Sequence, residues 1–205
     1  MDLKFENGFW WPNVTLARGF DRYVRNSVDM MTAIRFCKEK GVVVQAGGHC
    51  GVWPIKLSEI FKRVYTFEPD LHNFRALMAN VREENIFPAR GALGAQPGFT
   101  GMHKNPKNTG GHWVEGDGPT PVFTVDQFNF DALDLLMLDV EGSELFALQG
   151  AFYTIKKFSP VIMLEDNGNA ELKGGYPSHM VHGFLKDMGY SLAATVRDDK
   201  IWVKK

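Results

Sequence analysis

The first strong pattern in the chain is a run of β-branched apolar residues that ends at a cluster of glycines. Residues 42–44 are all valine, and three glycines follow between positions 47 and 51. Apolar residues then recur at helical spacing up to Phe61, and a second apolar run at 64–67 ends at Glu68. Strand, glycine turn, helix, strand and acid in this order predict the first half of a Rossmann-type nucleotide site.

The rest of the chain continues the alternation of strands and helices. Helical spacing of apolar residues predicts helices at 27–40, 71–81, 143–158 and 177–188, with N-caps at Ser27, Asp70 and Ser143. Extended apolar runs predict strands at 86–92, 122–125, 133–140, 161–164, 190–196 and 200–203. We therefore expect an α/β fold with a mostly parallel sheet and helices on both faces. An antiparallel hairpin of the last two strands closes one edge of that sheet.

Two segments do not follow this alternation. Residues 1–41 form an N-terminal arm and helix, and the aromatic, irregular first 20 residues favour a packed arm over a pocket lid. Residues 94–121 are rich in glycine and proline, which predicts a long, loosely structured insertion that contacts an acceptor substrate. The alternative is a solvated loop whose histidines have no function. Because the sequence contains no repeat and no linker, we expect a single domain over 1–205.

Composition narrows the setting of the protein. The chain has 205 residues, 44% of them hydrophobic, and a net charge of −1, so nothing favours nucleic acid as an obligatory partner. Cys37 and Cys50 form neither a disulfide framework nor a metal-ligand spacing, which is typical of a reducing compartment. No apolar run has the length of a membrane span or the character of a signal peptide. We expect a cytoplasmic protein with a small-molecule partner.

The glycine cluster and Glu68 carry the chemistry of the predicted site. Without side chains at Gly47, Gly48 and Gly51, a ligand can approach the backbone closely. The N-terminus of the next helix favours an anion, and a strand-end carboxylate at Glu68 accepts hydrogen bonds from a ribose diol. The alternative is a simple tight turn with a solvated acid.

Two common nucleotide motifs are absent. The G-x-G-x-x-G fingerprint of dinucleotide sites fails because His49 and Val52 occupy its second and third glycine positions, and no P-loop follows any strand. A ribose-bearing ligand with little or no pyrophosphate remains, and S-adenosylmethionine is the leading candidate.

Four segments together resemble the FkbM family of S-adenosylmethionine-dependent methyltransferases. They lie between positions 42 and 165 and read VVVQAGGHCG, FEPDLHNFRALMAN, LDLLMLDVEGSELFALQGA and SPVIMLE. The resemblance implies the class I methyltransferase fold, a Rossmann-like, mostly parallel seven-stranded sheet whose last strand is antiparallel. It also implies S-adenosylmethionine as cofactor and methyl transfer to a hydroxyl of a small molecule or sugar.

The sequence departs from this family at three positions. Gln45 stands where the family usually has an aspartate that helps to hold the amino-acid end of the cofactor. His49 replaces the usual asparagine, and Met137 replaces the usual lysine. These departures motivate the alternative of a non-catalytic S-adenosylmethionine-binding module. A nicotinamide-dependent oxidoreductase is a further alternative, supported only by analogy of fold.

The resemblance and the strand ends together give a set of cofactor-binding residues. Asp139 ends the predicted fourth main strand, beside the expected methyl group, although it could instead cap the following helix. Glu141 and Glu144 are expected to stabilise the start of that helix. The predicted cofactor-binding residues are Gln45, Gly47, Gly48, His49, Gly51, Glu68, Asp70, Ala92 and Asp139.

A hydroxyl acceptor also needs a base. The predicted catalytic residues are Asp139, Glu165 and His49, and His103 is a further candidate. His112 is a weaker candidate, and His179 and His182 are expected on the surface of a late helix. We expect no metal, but one alternative is a Mg²⁺ site formed by Asp139, Asp166 and Asn167, because oxygen ligands suit this ion.

Overall fold

The computed structural model describes residues 2–13, 29–106 and 108–205. The strands are β1 (Leu3–Glu6), β2 (Phe9–Pro12), β3 (Val42–Ala46), β4 (Arg63–Phe67), β5 (Ile86–Ala89), β6 (Ala92–Leu93), β7 (Gly98–Thr100), β8 (Met102–His103), β9 (Trp113–Val114), β10 (Thr120–Phe123), β11 (Leu135–Leu138), β12 (Val161–Glu165), β13 (Tyr190–Val196) and β14 (Asp199–Lys204). The helices are α1 (29–36), α2 (Val52–Ser58), α3 (Leu71–Asn80), α4 (Glu144–Gln149), α5 (Phe152–Phe158), α6 (Asn169–Leu172) and α7 (His179–Asp187). Short 3₁₀ turns lie at Thr109–Gly111 and Asp126–Phe128.

A seven-stranded sheet carries the fold. Its order is β13-β14-β12-β11-β3-β4-β5, and every neighbouring pair is parallel except those that include β14. The predicted class I methyltransferase topology is therefore confirmed. The predicted antiparallel hairpin of β13 and β14 also closes one edge, with β14 between β12 and β13.

Helices cover both faces of this sheet, and two apolar layers result. In β3, Val42 and Val44 pack with α4, α5 and α7, whereas Val43 packs with α1 and α2 on the other face. All five residues of β3 are buried. This explains the continuous apolar runs in the sequence, since a parallel strand covered on both faces needs no polar side.

The predicted helix over 143–158 is two helices, α4 and α5. Gly150 separates them, and a Cβ atom there would lie 2.0 Å from the carbonyl oxygen of Gly94. The Asp126 carboxylate then accepts hydrogen bonds from Tyr153 N and Thr154 N at 3.1 and 2.8 Å, so a side chain distant in sequence caps the start of α5. Because these contacts join segments that are distant in sequence, helical spacing alone predicts one helix where the structure has two.

Other predicted boundaries also change. The strand predicted at 133–140 is the shorter β11, because Asp134 uses its side chain to accept hydrogen bonds from Gly41 N and Val42 N. The run at 86–92 splits into β5 and β6, and β6 pairs with β10 in a separate sheet. The first helix ends at residue 36 rather than 40, and its predicted cap Ser27 lies outside the described residues.

Of the first 20 residues, predicted to be irregular, the structure describes 2–13, and within this part β1 and β2 form a hairpin. Asn80 at the end of α3 accepts a hydrogen bond from Trp10 N at 2.7 Å and donates one to Trp10 O at 2.9 Å. Trp11 is buried. These contacts favour the packed arm over the lid.

The stretch 94–121 is more ordered than a loose insertion. The strands β6, β10 and β7 form a three-stranded sheet, and β8 and β9 form a two-stranded one. The described residues of the predicted insertion therefore form a loop that short strands interrupt. Among the described residues, no helix combines the length and the apolar character that spanning a membrane requires.

Candidate active site

A cavity of about 620 Å³, partly open to solvent, lies at the carboxyl ends of β3, β4 and β11. This is the edge at which ligands bind in open α/β sheets. Its wall comes from the glycine turn, the end of β4, the start of α3, the loop after β11 and the insertion. The lining residues are Ala46, Gly47, His49, Phe67, Glu68, Pro69, Asn73, Gly91, Ala92, Leu93, Met102, Thr109, Gly110, His112, Trp113, Val114, Asp139, Val140, Glu141 and Ser143.

Gly47 is essential to the shape of the turn. Its φ of +88° is unfavourable for other residues, and an added Cβ atom would lie 2.0 Å from the carbonyl oxygen of Asp139. The amides of Gly47 and Gly48 both donate to Phe67 O, at 3.0 and 2.9 Å. The turn thus brings β3, β4 and the end of β11 together at one wall of the cavity.

The other two glycines have different surroundings. Gly48 lies against Thr66 and Leu77 and borders a smaller pocket of about 230 Å³ next to the main cavity. Gly51 precedes α2 with a φ of +90° and packs toward α3. Neither lines the main cavity.

Glu68 lies at the carboxyl end of β4 and is buried in the wall of the cavity. Its carboxylate accepts hydrogen bonds from His49 N at 2.7 Å and Asp70 N at 2.8 Å. Burial raises the pKa of Glu68 to about 7, although these two amides oppose the shift. A carboxylate has about four acceptor positions, so capacity remains for the hydroxyls of a ribose.

Gln45 and Asp70 support the site from outside the cavity. Gln45 accepts a hydrogen bond from Thr66 Oγ1 at 2.6 Å and donates one to Gly47 O at 2.9 Å, so it braces the glycine turn. Asp70 is the N-cap of α3, as predicted, and its Oδ2 lies 3.4 Å from His112 Nδ1. Burial alone would raise the pKa of Asp70, but the His112 imidazole and the cap amides lower it below its ordinary value.

His49 lines the cavity and has an uncommon positive φ of 45°. Its Nε2 lies 2.9 Å from the hydroxyl of Thr109 in the insertion. Burial, together with the nearby charge of His112, lowers the pKa of His49 to about 3. The imidazole is therefore neutral near pH 7, and its weak basicity makes it a poor general base.

An acidic cluster lies beside the cavity, which Asp139 and Glu141 line and Glu165 does not. Asp139, Glu141 and Glu165 each place an oxygen within 4.8 Å of the others, an arrangement that could hold a metal ion. Burial and the charges of Glu165 and Glu141 raise the pKa of Asp139 well above its ordinary value, and burial raises the pKa of Glu165 to about 8. Glu165 Oε2 is buried without a hydrogen-bond partner among the described residues.

The predicted Mg²⁺ set of Asp139, Asp166 and Asn167 does not come together. Asp166 Oδ2 lies 3.0 Å from His182 Nε2 and 3.2 Å from Lys200 Nζ. Asn167 accepts a hydrogen bond from Asn169 N. Both side chains have partners outside the cavity, and Glu141 and Glu165 lie beside Asp139 instead.

The two acids after Asp139 differ in role. Glu144 accepts hydrogen bonds from Val140 N at 3.3 Å and Gly142 N at 3.2 Å, which orders the loop at the start of α4. Glu141 was expected to do the same but instead binds Asn169 Nδ2 at 2.6 Å and forms an ion pair with Lys173. Ser143, the predicted cap, makes no capping hydrogen bond with its side chain.

The insertion forms the remaining wall. Trp113 lies between the cavity and the surface, stacks on His103 at 3.7 Å between ring centroids, and has Lys173 Nζ 4.9 Å from its ring centre. His103 is exposed, pairs with Glu115 and does not line the cavity, whereas His112 does. His179 is exposed, and His182 is partly buried beside Asp166.

Asn73, Thr109 and Lys173, which make contacts in or beside this site, were not predicted individually from the sequence, whereas Trp113 lies in the insertion that was expected to contact the acceptor. Asn73 stands in the segment that resembles the second family motif, so that resemblance was an available signal. Thr109 and Lys173 lie in stretches without periodicity, where no sequence signal distinguishes individual residues at the site from solvated ones.

A comparison with protein families decides the assignment. The model of the methyltransferase FkbM domain matches residues 54–192, more than half of the chain. The chain belongs to the FkbM methyltransferase family. The cofactor of this FkbM domain is accordingly S-adenosylmethionine, and the glycine turn, the strand-end acid and the cavity fit such a nucleoside.

Solved structures with the same fold are distant in sequence. The methyltransferase FkbM of Methylobacillus flagellatus has 20% identity and a TM-score of 0.53 over 78% of this chain, which spans only 42% of that protein. A precorrin 8W decarboxylase of Methanobacterium thermoautotrophicum has 13% identity and a TM-score of 0.50, with 88% and 90% of the two chains covered. The magnesium protoporphyrin IX methyltransferase of Synechocystis, with bound S-adenosylmethionine, has 14% identity and a TM-score of 0.50, with 92% and 81% covered. No curated protein matches the FkbM domain significantly.

Proposed function

We propose that this FkbM domain, acting as one unit over residues 1–205, transfers the methyl group of S-adenosylmethionine to a hydroxyl of a small molecule or sugar. The observation that supports this is the set of acids at the main cavity. Glu68 and Asp139 both line the cavity, and Glu165, whose pKa is raised as that of Asp139 is, lies beside Asp139 without lining it.

Glu68 and the glycine turn bind and orient the methyl donor. When bound, S-adenosylmethionine supplies an electrophilic methyl group on its sulfonium. Glu68 accepts hydrogen bonds from the ribose, and Gly47 lets the turn approach the Asp139 carbonyl closely, so that the turn and the end of β11 border the cavity together. Because oriented reactants can gain on the order of 7–11 kcal/mol in barrier height, this positioning supplies much of the rate.

The acidic cluster of Asp139, Glu141 and Glu165 binds the acceptor and accepts its proton. A hydroxyl must lose its proton as its oxygen attacks the methyl carbon, and a carboxylate with a raised pKa accepts that proton more readily than an ordinary one. Glu165 is the preferred base, with Asp139 next to it facing the acceptor or the cofactor. The walls at Met102, Trp113 and Val114 then select the shape of the acceptor.

Two departures from the family pattern bear on catalysis. Gln45 braces the glycine turn and does not line the cavity, so loss of the usual aspartate alters the cofactor site only through that turn. Met137 is buried in the apolar layer and contributes no charge. The family assignment leaves the nicotinamide-dependent alternative without support, whereas the non-catalytic module is an outcome of the following experiment.

The test is transfer of a labelled methyl group from S-adenosylmethionine to a panel of sugars, polyols and phenols. We expect an ether product from the wild-type protein, loss of transfer in Glu165→Gln, and retained binding of S-adenosylhomocysteine in that variant by calorimetry. Asp166→Asn is the matched control, because this neighbouring acid pairs with His182 and Lys200. Label on nitrogen or carbon alone would contradict the proposal, and cofactor binding without transfer to any acceptor would indicate the non-catalytic module.

A further inference from the structure

Asn73, in the first turn of α3, has an amide oxygen without a partner. Its side chain lines the cavity, and the residue is only 2% exposed. The amide nitrogen donates to Thr109 O at 3.0 Å and lies 3.5 Å from Glu68 Oε1. Its Oδ1 is shielded from solvent and receives no hydrogen bond from any residue that the structure describes.

The orientation of this amide is fixed by its neighbours. Exchange of the oxygen and nitrogen would place Oδ1 against the Thr109 carbonyl and the Glu68 carboxylate, which are both acceptors. The side-chain nitrogen is therefore the atom that donates, and Oδ1 is the atom without a partner. Buried acceptors almost always have a protein donor, a water or a ligand as partner. We therefore expect Asn73 Oδ1 to bind a donor that enters the cavity.

The geometry points to Asn73 as a second ribose-binding residue, whose Oδ1 accepts a hydrogen bond from one ribose hydroxyl while Glu68 accepts one from the other. This inference rests on the cofactor site of the proposed function but not on the identity of the acceptor. A ribose has two adjacent hydroxyl donors, and the two acceptors belong to side chains in contact near the end of β4. The chemical class recognised is a cis-diol of a nucleoside.

The same side chain also connects the ribose site to the insertion. Asn73 Nδ2 holds the carbonyl of Thr109, and His49 Nε2 lies 2.9 Å from the Thr109 hydroxyl. The turn Thr109–Gly111 is therefore anchored on residues that surround Glu68. A ribose that fixes the Asn73 amide should in turn hold this turn over the cavity.

Calorimetry with S-adenosylhomocysteine and its 2′-deoxy and 3′-deoxy analogues tests the inference. Asn73→Ala should weaken binding of the parent compound about tenfold, and the variant should no longer discriminate against one of the deoxy analogues that wild type binds about tenfold more weakly. Asn73→Leu, which retains the buried volume, should behave in the same way if the alanine variant folds poorly. Hydrogen exchange should further show that the nucleoside protects amides 109–114 in wild type but not in either variant.

Asn80→Ala is the matched control, because Asn80 ends the same helix and holds Trp10 and Cys50 by side-chain hydrogen bonds of the same kind. It should bind all three compounds like wild type. Unchanged affinity in both Asn73 variants, or unchanged discrimination between the analogues, would overturn the inference. Absence of binding in wild type would contradict the cofactor site, whereas tight binding without methyl transfer would contradict only the proposed reaction.

Discussion

At the scale of single residues, Glu68 combines burial with an expected function in binding. It is held by two backbone amides, and its pKa of about 7 lies within the physiological range. A ribose diol donates hydrogen bonds to the ionised form of this acid. Ligand binding and ionisation of Glu68 should therefore favour each other.

The first prediction concerns this linkage. The affinity for S-adenosylhomocysteine should increase as the pH rises from 6 to 8, because Glu68 loses its proton through that interval. Glu68→Gln should weaken binding at least about tenfold and flatten this dependence, since its side-chain nitrogen would face the backbone amide of either His49 or Asp70 and its side chain no longer ionises. Calorimetry at three pH values measures both effects.

Asp131→Asn is a suitable control for this prediction, because Asp131 is an exposed acid that pairs with Arg63 on the surface. It should leave both the affinity and its pH dependence unchanged. An affinity that is constant over this interval in wild type would argue against ionised Glu68 as the ribose acceptor.

A second prediction at this scale concerns Glu165. Below its pKa of about 8 the carboxyl group holds a proton and cannot accept one from the acceptor hydroxyl. The rate of methyl transfer at saturating cofactor should therefore rise as the pH increases through about 8. Initial rates with the best acceptor of the panel would measure this rise of the rate with pH. A rate that falls over the same range would exclude an acid of raised pKa as the base.

At the scale of elements, the sequence predicted strands, turns and helices best where a single short segment contains the whole pattern that determines them. One strand-turn-helix-strand unit contains the valines of β3, Gly47 and Glu68, so the local pattern was enough to predict this part of the site. The break between α4 and α5 was missed because its cause, the contact of Gly150 with Gly94, joins residues far apart in sequence. Glu141 was assigned to a helix start for the same reason, since its partners Asn169 and Lys173 belong to a later segment.

The helix break leads to a third prediction. Gly150→Ala should lower the free energy of unfolding by at least about 1 kcal/mol, because the new methyl group would meet the Gly94 carbonyl at 2.0 Å. Gly183→Ala should instead leave stability unchanged or raise it by up to about 1 kcal/mol, since Gly183 lies within α7 with open space around it. Urea denaturation compares the two variants, and equal stability of both would mean that the chain tolerates a side chain at the break.

At the scale of the whole molecule, several buried acids with raised pKa values affect stability together. Burial raises the pKa of Glu68 and Asp199 to about 7 and that of Glu165 to about 8. In the unfolded chain these groups lose their protons near pH 4. Between those values the folded state binds more protons than the unfolded state, so its stability falls as the pH rises.

The fourth prediction follows from this difference in proton binding. From pH 6.5 to 8 the free energy of unfolding should fall by at least about 1 kcal/mol, since one pKa unit corresponds to about 1.4 kcal/mol. His49 and His72 have lowered pKa values, so their titration in the unfolded chain opposes the trend, but only near the lower end of this interval because an unfolded histidine has a pKa of about 6.5. Urea denaturation at pH 6.5, 7.25 and 8 measures the slope, which should be smaller in Glu165→Gln. A stability that stays level or rises would mean that these acids are ionised in the folded protein.

The position of β14 has a consequence for how the polypeptide matures. This strand follows β13 in the chain yet lies inside the sheet, between β12 and β13. During synthesis, β12 is therefore made with an open hydrogen-bonding edge, and β13 has nothing to join until β14 leaves the ribosome. A nascent chain halted after β13 should bind chaperones and be cut readily by proteases, whereas an extension long enough to carry β14 out of the ribosome should release it as a protected fold.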